Sequence, residues 1–266
     1  MGERAIGIFD SGVGGLTVLK KIYDLMPNEN IIYFADTLHV PYGNRPRVEI
    51  LNYARNIIKF LLAHNVKIIV IACNTVCANC FYELTNEFKI TLIDIIQSGV
   101  ESALLATKNK SIGIIATEST IKRHSYEIKI NKINKNIKSF SKACPLLVKL
   151  AENGEFKTKK TYDILKFYLK DFSKTNIDTL ILGCTHYPLF YNHIKKILPS
   201  INLIDPADKL ALITKNYLSI KKIFCKNNNN PETKFFVSGD IKKFKSVCEK
   251  ILDKNLDLKN FFHVSL

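Results

Sequence analysis

Two of the seven cysteines lie in matching local sequence. Ile69-Val70-Ile71-Ala72-Cys73-Asn74-Thr75 and Leu180-Ile181-Leu182-Gly183-Cys184-Thr185-His186 are each a short apolar run ending in a small residue, then cysteine, then a polar pair. A thiol where a strand turns into a helix lies near unpaired backbone N–H groups and the positive end of the helix dipole, which favour a thiolate. Such help matters, because an ordinary thiol, with a pKa of about 8.5, is only slightly ionised at neutral pH. The same N–H groups can hold a carboxylate, and Asn74, Thr75, Thr185 and His186 supply further hydrogen bonds. Two such turns facing each other would set a thiol on each side of a bound stereocentre. One, as thiolate, removes the α-proton; the other, as thiol, protonates the opposite face, and the reverse reaction swaps the roles. That is the geometry of racemisation, with desolvation and fixed N–H donors needed to support the developing carbanion.

The elements that must position these turns are legible as alternation. Ala5 to Phe9, Ile31 to Ala35, Lys67 to Ala72, Ser111 to Ala116, Thr179 to Gly183 and Asn202 to Ile204 read as strands. Val48 to His64 and Lys159 to Ser173 have helical periodicity and length. The pattern is that of α/β units with a mostly parallel sheet and helices on both faces. Ala5-Ile6-Gly7-Ile8-Phe9 also resembles Ser111-Ile112-Gly113-Ile114-Ile115, in the same order and at nearly the same offset as the two cysteine segments. The expectation is two similar α/β domains related by a pseudo-twofold, one cysteine at the carboxyl end of a strand in each, and the active site at their interface, since ligands bind at that end of open α/β sheets.

The 266 residues allow one large or two modest domains, and two is the expectation. Composition is globular, the short Asn227 to Asn230 run aside. No apolar run approaches membrane-spanning length, and seven cysteines without a secretion signal argue for reduced thiols, so the expected place is the cytoplasm, with no membrane partner. The net charge of +15 invites a nucleic-acid reading, but only Arg4, Arg45, Arg47, Arg55 and Arg123 are arginines, and the lysines are spread along the chain without an aromatic-interleaved patch. A solvated lysine-rich surface with no specific nucleic-acid partner is the reading adopted.

Eight ordered segments across the chain carry a family resemblance. Phe9-Asp10-Ser11-Gly12-Val13-Gly14-Gly15-Leu16, Pro41-Tyr42-Gly43-Asn44-Arg45, Ala72-Cys73-Asn74-Thr75 and Gly183-Cys184-Thr185-His186-Tyr187-Pro188-Leu189 closely resemble the glutamate racemases of the aspartate/glutamate racemase family. Ala116-Thr117-Glu118-Ser119-Thr120, Ala143-Cys144-Pro145-Leu146, Asp205-Pro206-Ala207 and Ser238-Gly239-Asp240 complete the match. The resemblance implies an isomerase that interconverts L- and D-glutamate without a cofactor or metal, supplying D-glutamate for peptidoglycan synthesis, and hence for cell wall biogenesis and cell shape. It implies Cys73 and Cys184 as the catalytic bases, Asp10 and His186 as groups tuning them, and Glu152 as an assistant. The implied substrate contacts are Asp10, Ser11, Tyr42, Gly43, Asn74, Thr75, Thr117, Thr120, Thr185 and His186. It places residues 1–96 with 207–266 in the first domain and 97–206 in the second, and a homodimer is among the assemblies it allows. Lys149 and Arg123 depart from the family pattern, where proline and serine are common.

Three other readings compete for the same residues. Gly12-Val13-Gly14-Gly15-Leu16-Thr17 after a strand, with Asp36 after the next, imitates a dinucleotide fingerprint, but Thr17 replaces the third glycine and Asp10 would crowd a pyrophosphate. Cys73, Cys77 and Cys80 have the Cys-x3-Cys-x2-Cys spacing of an iron–sulfur site, yet the same spacing puts small residues on one helix face, and Cys184 lacks companions. A noncatalytic amino-acid-binding protein would need the carboxylate and amine contacts but not both thiols. The remaining histidines, His39, His64, His124, His193 and His263, show no metal-ligand spacing.

Overall fold

Apolar runs with no polar break cannot leave either face in water, so they become central strands of parallel sheets covered on both sides. The computed structural model describes residues 2–225 and 230–265, so Asn227 to Asn229 of the asparagine run lie outside it. Its strands are β1 (Ile6–Asp10), β2 (Ile31–Ala35), β3 (Ile68–Ile71), β4 (Leu92–Asp94), β5 (Ser111–Ala116), β6 (Lys138–Ala143), β7 (Thr179–Gly183), β8 (Asn202–Ile204), β9 (Thr233–Val237) and β10 (Phe261–His263). They form a six-stranded sheet, ordered β10-β9-β2-β1-β3-β4, and a four-stranded sheet, ordered β6-β5-β7-β8. Every pairing is parallel. The helices between them are α1 (Leu16–Leu25), α2 (Arg47–Ala63), α3 (Asn74–Glu87), α4 (Ile95–Ala106), α5 (Glu118–Lys122), α6 (Ser125–Ile133), α7 (Pro145–Glu152), α8 (Lys159–Leu169), α9 (Tyr191–Ile197), α10 (Pro206–Ile220) and α11 (Ile241–Leu252).

The six strands read from sequence are all present, and the two expected helices appear as α2 and as α8 followed by a 3-10 turn at Lys170–Lys174. Four strands were not anticipated: β4, β6, β9 and β10. Three of these, β4, β6 and β10, lie at sheet edges, where one side needs no partner strand and the apolar signal weakens. β6 reads Lys-Ser-Phe-Ser-Lys-Ala, with no fully buried residue.

α4 joins the two sheets. Asp94 caps it, its carboxylate accepting the Ile96 N–H at 2.7 Å, and the helix then packs between α10, α6 and the faces of β7 and β8. One face of the smaller sheet (Ile112, Ile114, Ile181, Ile204) therefore shares the core of the larger one. The other face (Ile115, Leu180, Leu182) packs on a second core with Leu147, Leu165 and Phe190. Each fully buried Ile or Leu contributes about 1.5–3 kcal/mol relative to exposure. The carboxyl ends of β1, β3, β5 and β7 open toward one another, and the residues that follow them form the site.

Candidate active site

Each strand end delivers its polar residues directly. β1 ends in Asp10 and leads to Ser11; β3 leads to Cys73, which is the N-cap of α3, followed by Asn74 and Thr75; β5 leads to Thr117, the N-cap of α5; β7 leads to Cys184, Thr185 and His186. Ser11, Tyr42, Gly43, Cys73, Asn74, Thr75, Thr117, Cys184, Thr185 and His186 line one cavity, together with Pro41 and Val148. Both thiols thus face the same space, one from each sheet, and both are buried. Only about 10 Å³ of it is open to the centre of a water molecule. That holds roughly one water.

The surroundings of the two thiols differ. Cys73 donates to the Ser11 hydroxyl at 3.7 Å. Burial first, and then the charge of Asp10, push its thiol up to about 12, against the pull of the Val76 N–H at the start of α3 and of Ser11. The helix terminus is present as the sequence suggested, but in this closed arrangement desolvation outweighs it. Cys184 has no such helix behind it, because a 3-10 turn (Tyr187–Phe190) follows instead of a regular first turn. Its partner is a side chain: Cys184 Sγ lies 3.4 Å from His186 Nδ1, and His186 Nε2 lies 2.6 Å from Glu152 Oε1 at the end of α7. Burial lowers the His186 pKa, but negative charge on Cys184 and the Glu152 carboxylate outweigh it and raise the pKa well above the usual range, which favours the imidazolium when Cys184 is the thiolate.

Asp10 and Glu152 stand behind the cavity wall. The Asp10 carboxylate accepts the Gly12 N–H at 3.0 Å and the Thr185 hydroxyl at 3.1 Å. Burial raises its pKa, against the opposing pull of His186 and Gly12. Glu152 also accepts the Val13 N–H at 3.0 Å, so the glycine-rich loop after β1 is fastened to the smaller sheet's side. The glycines have a packing reason. A Cβ on Gly12 would stand 2.1 Å from Glu152 Oε1, and one on Gly14 would stand 2.4 Å from Thr185 Oγ1. They leave room for the Cys184–His186–Glu152 group.

Further hydrogen bonds cross between the sheets. Thr75 and Thr117 hydroxyls meet at 3.0 Å and Thr17 donates to the Thr185 carbonyl at 3.2 Å, while on the smaller sheet's own side Thr117 also meets Thr120 at 3.0 Å. Thr120 thus reaches the cavity only through Thr117. The Tyr126 hydroxyl on α6 donates to Asn74 Oδ1 at 2.7 Å. Asn74 Nδ2, buried against the cavity, has no hydrogen-bond partner among the described residues, an unused donor where an anionic group would sit.

A family model described as Asp/Glu/hydantoin racemase matches residues 24–213. The chain belongs to that family. It is therefore a racemase, an isomerase. Glutamate racemase 2 of Caldanaerobacter subterraneus subsp. tengcongensis is 45% identical over 258 residues, covering 97% of this chain and 96% of the relative. The crystal structure of glutamate racemase from Francisella tularensis in complex with D-glutamate is 38% identical with a TM-score of 0.92, covering 100% of this chain and 98% of that one. Glutamate racemase from Bacillus anthracis superposes with a TM-score of 0.95 at 35% identity, covering 100% and 99%.

In this racemase, sequence reasoning missed several residues that hold the site. Asp36, which follows the glycine loop in the dinucleotide reading, is engaged within the protein: it accepts from the Tyr42 hydroxyl and, at 2.7 Å, from Ser238, and His39 Nδ1 lies 2.9 Å from it. Cys77 and Cys80 are buried along α3, with the Cys77 thiol donating to the Ile71 carbonyl at 3.6 Å. Tyr126 and Val148 carried no local signal, since only tertiary packing brings them here. No helix among the described residues is long and apolar enough to cross a membrane.

Proposed function

We propose that this racemase interconverts L- and D-glutamate through a two-base proton transfer at Cα, with Cys73 and Cys184 each serving one enantiomer. The observation that carries the reading is that both thiols line one enclosed cavity from opposite sheets, beside an unpaired Asn74 N–H. The full-length similarity to glutamate racemases supports glutamate as the substrate.

In this reading Asn74, Thr75 and Thr185 bind the α-carboxylate, while Ser11 faces the α-ammonium and Asp10, behind the wall on the same side, supplies negative charge. A thiolate on one side takes the α-proton, and the carbanion is stabilised by fixed donors in a desolvated site. The thiol opposite returns a proton. When Cys184 is the thiolate, its charge and that of Glu152 favour a protonated His186, which in turn offsets the negative charge on the sulfur. Asp10 opposes negative charge on Cys73 and so suits it to the thiol form.

Glutamate does not fit a space that holds about one water, so the seam made by Thr75–Thr117, Gly43–Thr117 and Val13–Glu152 has to part for substrate to enter. The sequence division, residues 1–96 with 207–266 against 97–206, supplies two bodies for that motion. In the cell the enzyme would work in the cytoplasm to provide D-glutamate for peptidoglycan. Polarimetry of purified protein with L-glutamate and, in parallel, L-aspartate, without added cofactor, tests the reading. Loss of optical rotation with glutamate alone is expected. Loss with aspartate alone would move the specificity, and no loss with either would refute the function.

A further inference from the structure

Of the 39 lysine and arginine residues only five are arginine, and three of those five, Arg45, Arg47 and Arg123, converge on one pocket beside the catalytic cavity. In a chain that otherwise uses lysine for surface charge, this is a local change of chemistry. Arginine presents a planar fork of N–H donors that matches the oxygens of a phosphate or carboxylate, which a lysine ammonium does not. The pocket encloses about 480 Å³, within the usual range of about 300–1,000 Å³ for small-molecule sites. Lys122 adds a further positive group to its wall, and Glu118 is the one carboxylate there.

The arginines are not equally engaged. Arg45 pairs with Glu49 at 3.3 Å, and Arg47 pairs with Glu83 while donating through Nε to the Asn79 carbonyl at 2.9 Å. Arg123 donates through Nε to Asn79 Oδ1 at 3.0 Å and has no carboxylate within ion-pair distance among the described residues. Its two terminal nitrogens are therefore left for a ligand. Asn79, buried on α3, also donates to the Thr75 carbonyl and the Ser119 hydroxyl, both at 2.8 Å. One side chain thus connects the arginine pocket to Thr75 on the wall of the catalytic cavity.

We propose that this pocket is a binding site for a small phosphorylated anion, with Arg123 and Arg47 as its principal ligands. Arg47 and Asn79 belong to helices of the larger sheet, whereas Arg123 follows α5 of the smaller one. An anion held by both ties the start of α2, itself bonded to α3 through Arg47 and the Asn79 carbonyl, to the end of α5, across the seam that Thr75 and Thr117 close. It therefore favours the closed form and slows access to the thiols. The pocket adjoins the catalytic cavity at Gly43, but neither thiol lines it, and the proposal does not depend on which amino acid is racemised.

Titration calorimetry of the intact protein with inorganic pyrophosphate, at ionic strength fixed with potassium chloride, tests the site. Saturable one-to-one binding is expected. Arg123→Ser should weaken it by about 10–100-fold, the worth of charge-assisted hydrogen bonds. Arg123→Lys, which keeps the charge but loses the fork, should also bind more weakly than the wild type. Equal affinity in wild type and Arg123→Ser would overturn the proposal, as would heat that disappears in the wild type at matched ionic strength, which marks diffuse attraction to lysines. Alkylation of Cys73 and Cys184 by a small reagent should slow with pyrophosphate in the wild type and not in Arg123→Ser. Binding with no change in alkylation would overturn the clamp.

Discussion

Replacing Glu152 by glutamine removes one negative charge and almost no volume. The glutamine amide oxygen can still accept from Val13 N–H and from His186 Nε2, so the hydrogen bonds survive and their charge assistance does not. Bonds to charged groups are worth about 1.5–3 kcal/mol against about 0.5–1.5 for neutral ones, a difference of about 1–2 kcal/mol. The Glu152 side chain is 14% exposed, so solvent screens little of this. If the imidazolium supports Cys184, kcat/KM falls by about 5–30-fold. Enantiomers have equal free energy in achiral water, so the fall must be the same from either direction whichever thiol is impaired.

The pH profile then locates the effect. Glu152 helps hold the His186 pKa up, so its loss brings deprotonation to lower pH and moves the alkaline limb of kcat/KM downward. The stability linkage has the same sign. A histidine with a raised folded pKa contributes stability in full below its unfolded value of about 6.5, and loses it as pH rises through the folded one. In the variant that contribution shrinks. Initial rates from each enantiomer, followed by circular dichroism across pH, give both quantities. Rates within about twofold of wild type, with an unmoved alkaline limb, would show that the Glu152–His186 pair only fastens the loop and does not tune the thiol.

Gly14→Ala places a Cβ 2.4 Å from Thr185 Oγ1 and 2.8 Å from His186 Nδ1, and overpacking of about 1–3 kcal/mol at that contact should lower the thermal midpoint by several degrees and, by displacing His186 from Cys184, lower kcat/KM; an unchanged midpoint with unchanged kinetics would refute the packing role of the glycine. Tyr126→Phe leaves Asn74 Oδ1 buried without its 2.7 Å donor, so the amide is free to turn and KM should rise by about 5–100-fold with a smaller change in kcat; an effect on kcat alone would contradict Asn74 as a carboxylate ligand. Asp205, raised to about 6 chiefly by burial, costs stability when ionised, so wild-type stability gains as pH falls through about 6 toward 4. Asp205→Asn keeps the cap on Ala207 and, allowing for partial exposure, should gain about 1–2 kcal/mol at pH 8 and nothing at pH 4 in urea unfolding. A gain independent of pH would argue against the charge as its source.

The central strands were legible because burial on both faces writes continuous apolar runs. β1, β2, β3, β5 and β7 are all of this kind, and the short apolar β8 was legible as well. β6 hides among lysines and serines, and β4 and β10 are three residues long. The cysteine turns were legible because each functional side chain directly follows its strand. What the sequence could not carry was distance across the fold. Glu152 stands 34 positions from His186, Tyr126 stands 52 from Asn74, and Ser238 stands 202 from Asp36, and each pair meets only after packing. The glycine loop was the instructive ambiguity. The same residues that imitate a pyrophosphate cradle are small so that Glu152, Thr185 and His186 can approach.

The central claim is that two separate thiols flank Cα, and hydrogen exchange in heavy water tests it most directly. L-Glutamate is turned over briefly in D2O, the enantiomers are separated, and deuterium at Cα is counted in each by mass spectrometry. With two bases the D-glutamate formed carries deuterium from the second thiol, while unreacted L-glutamate carries none. D-Glutamate that retains the substrate's own hydrogen, or L-glutamate that gains deuterium as fast as product forms, would mean that a single base serves both faces.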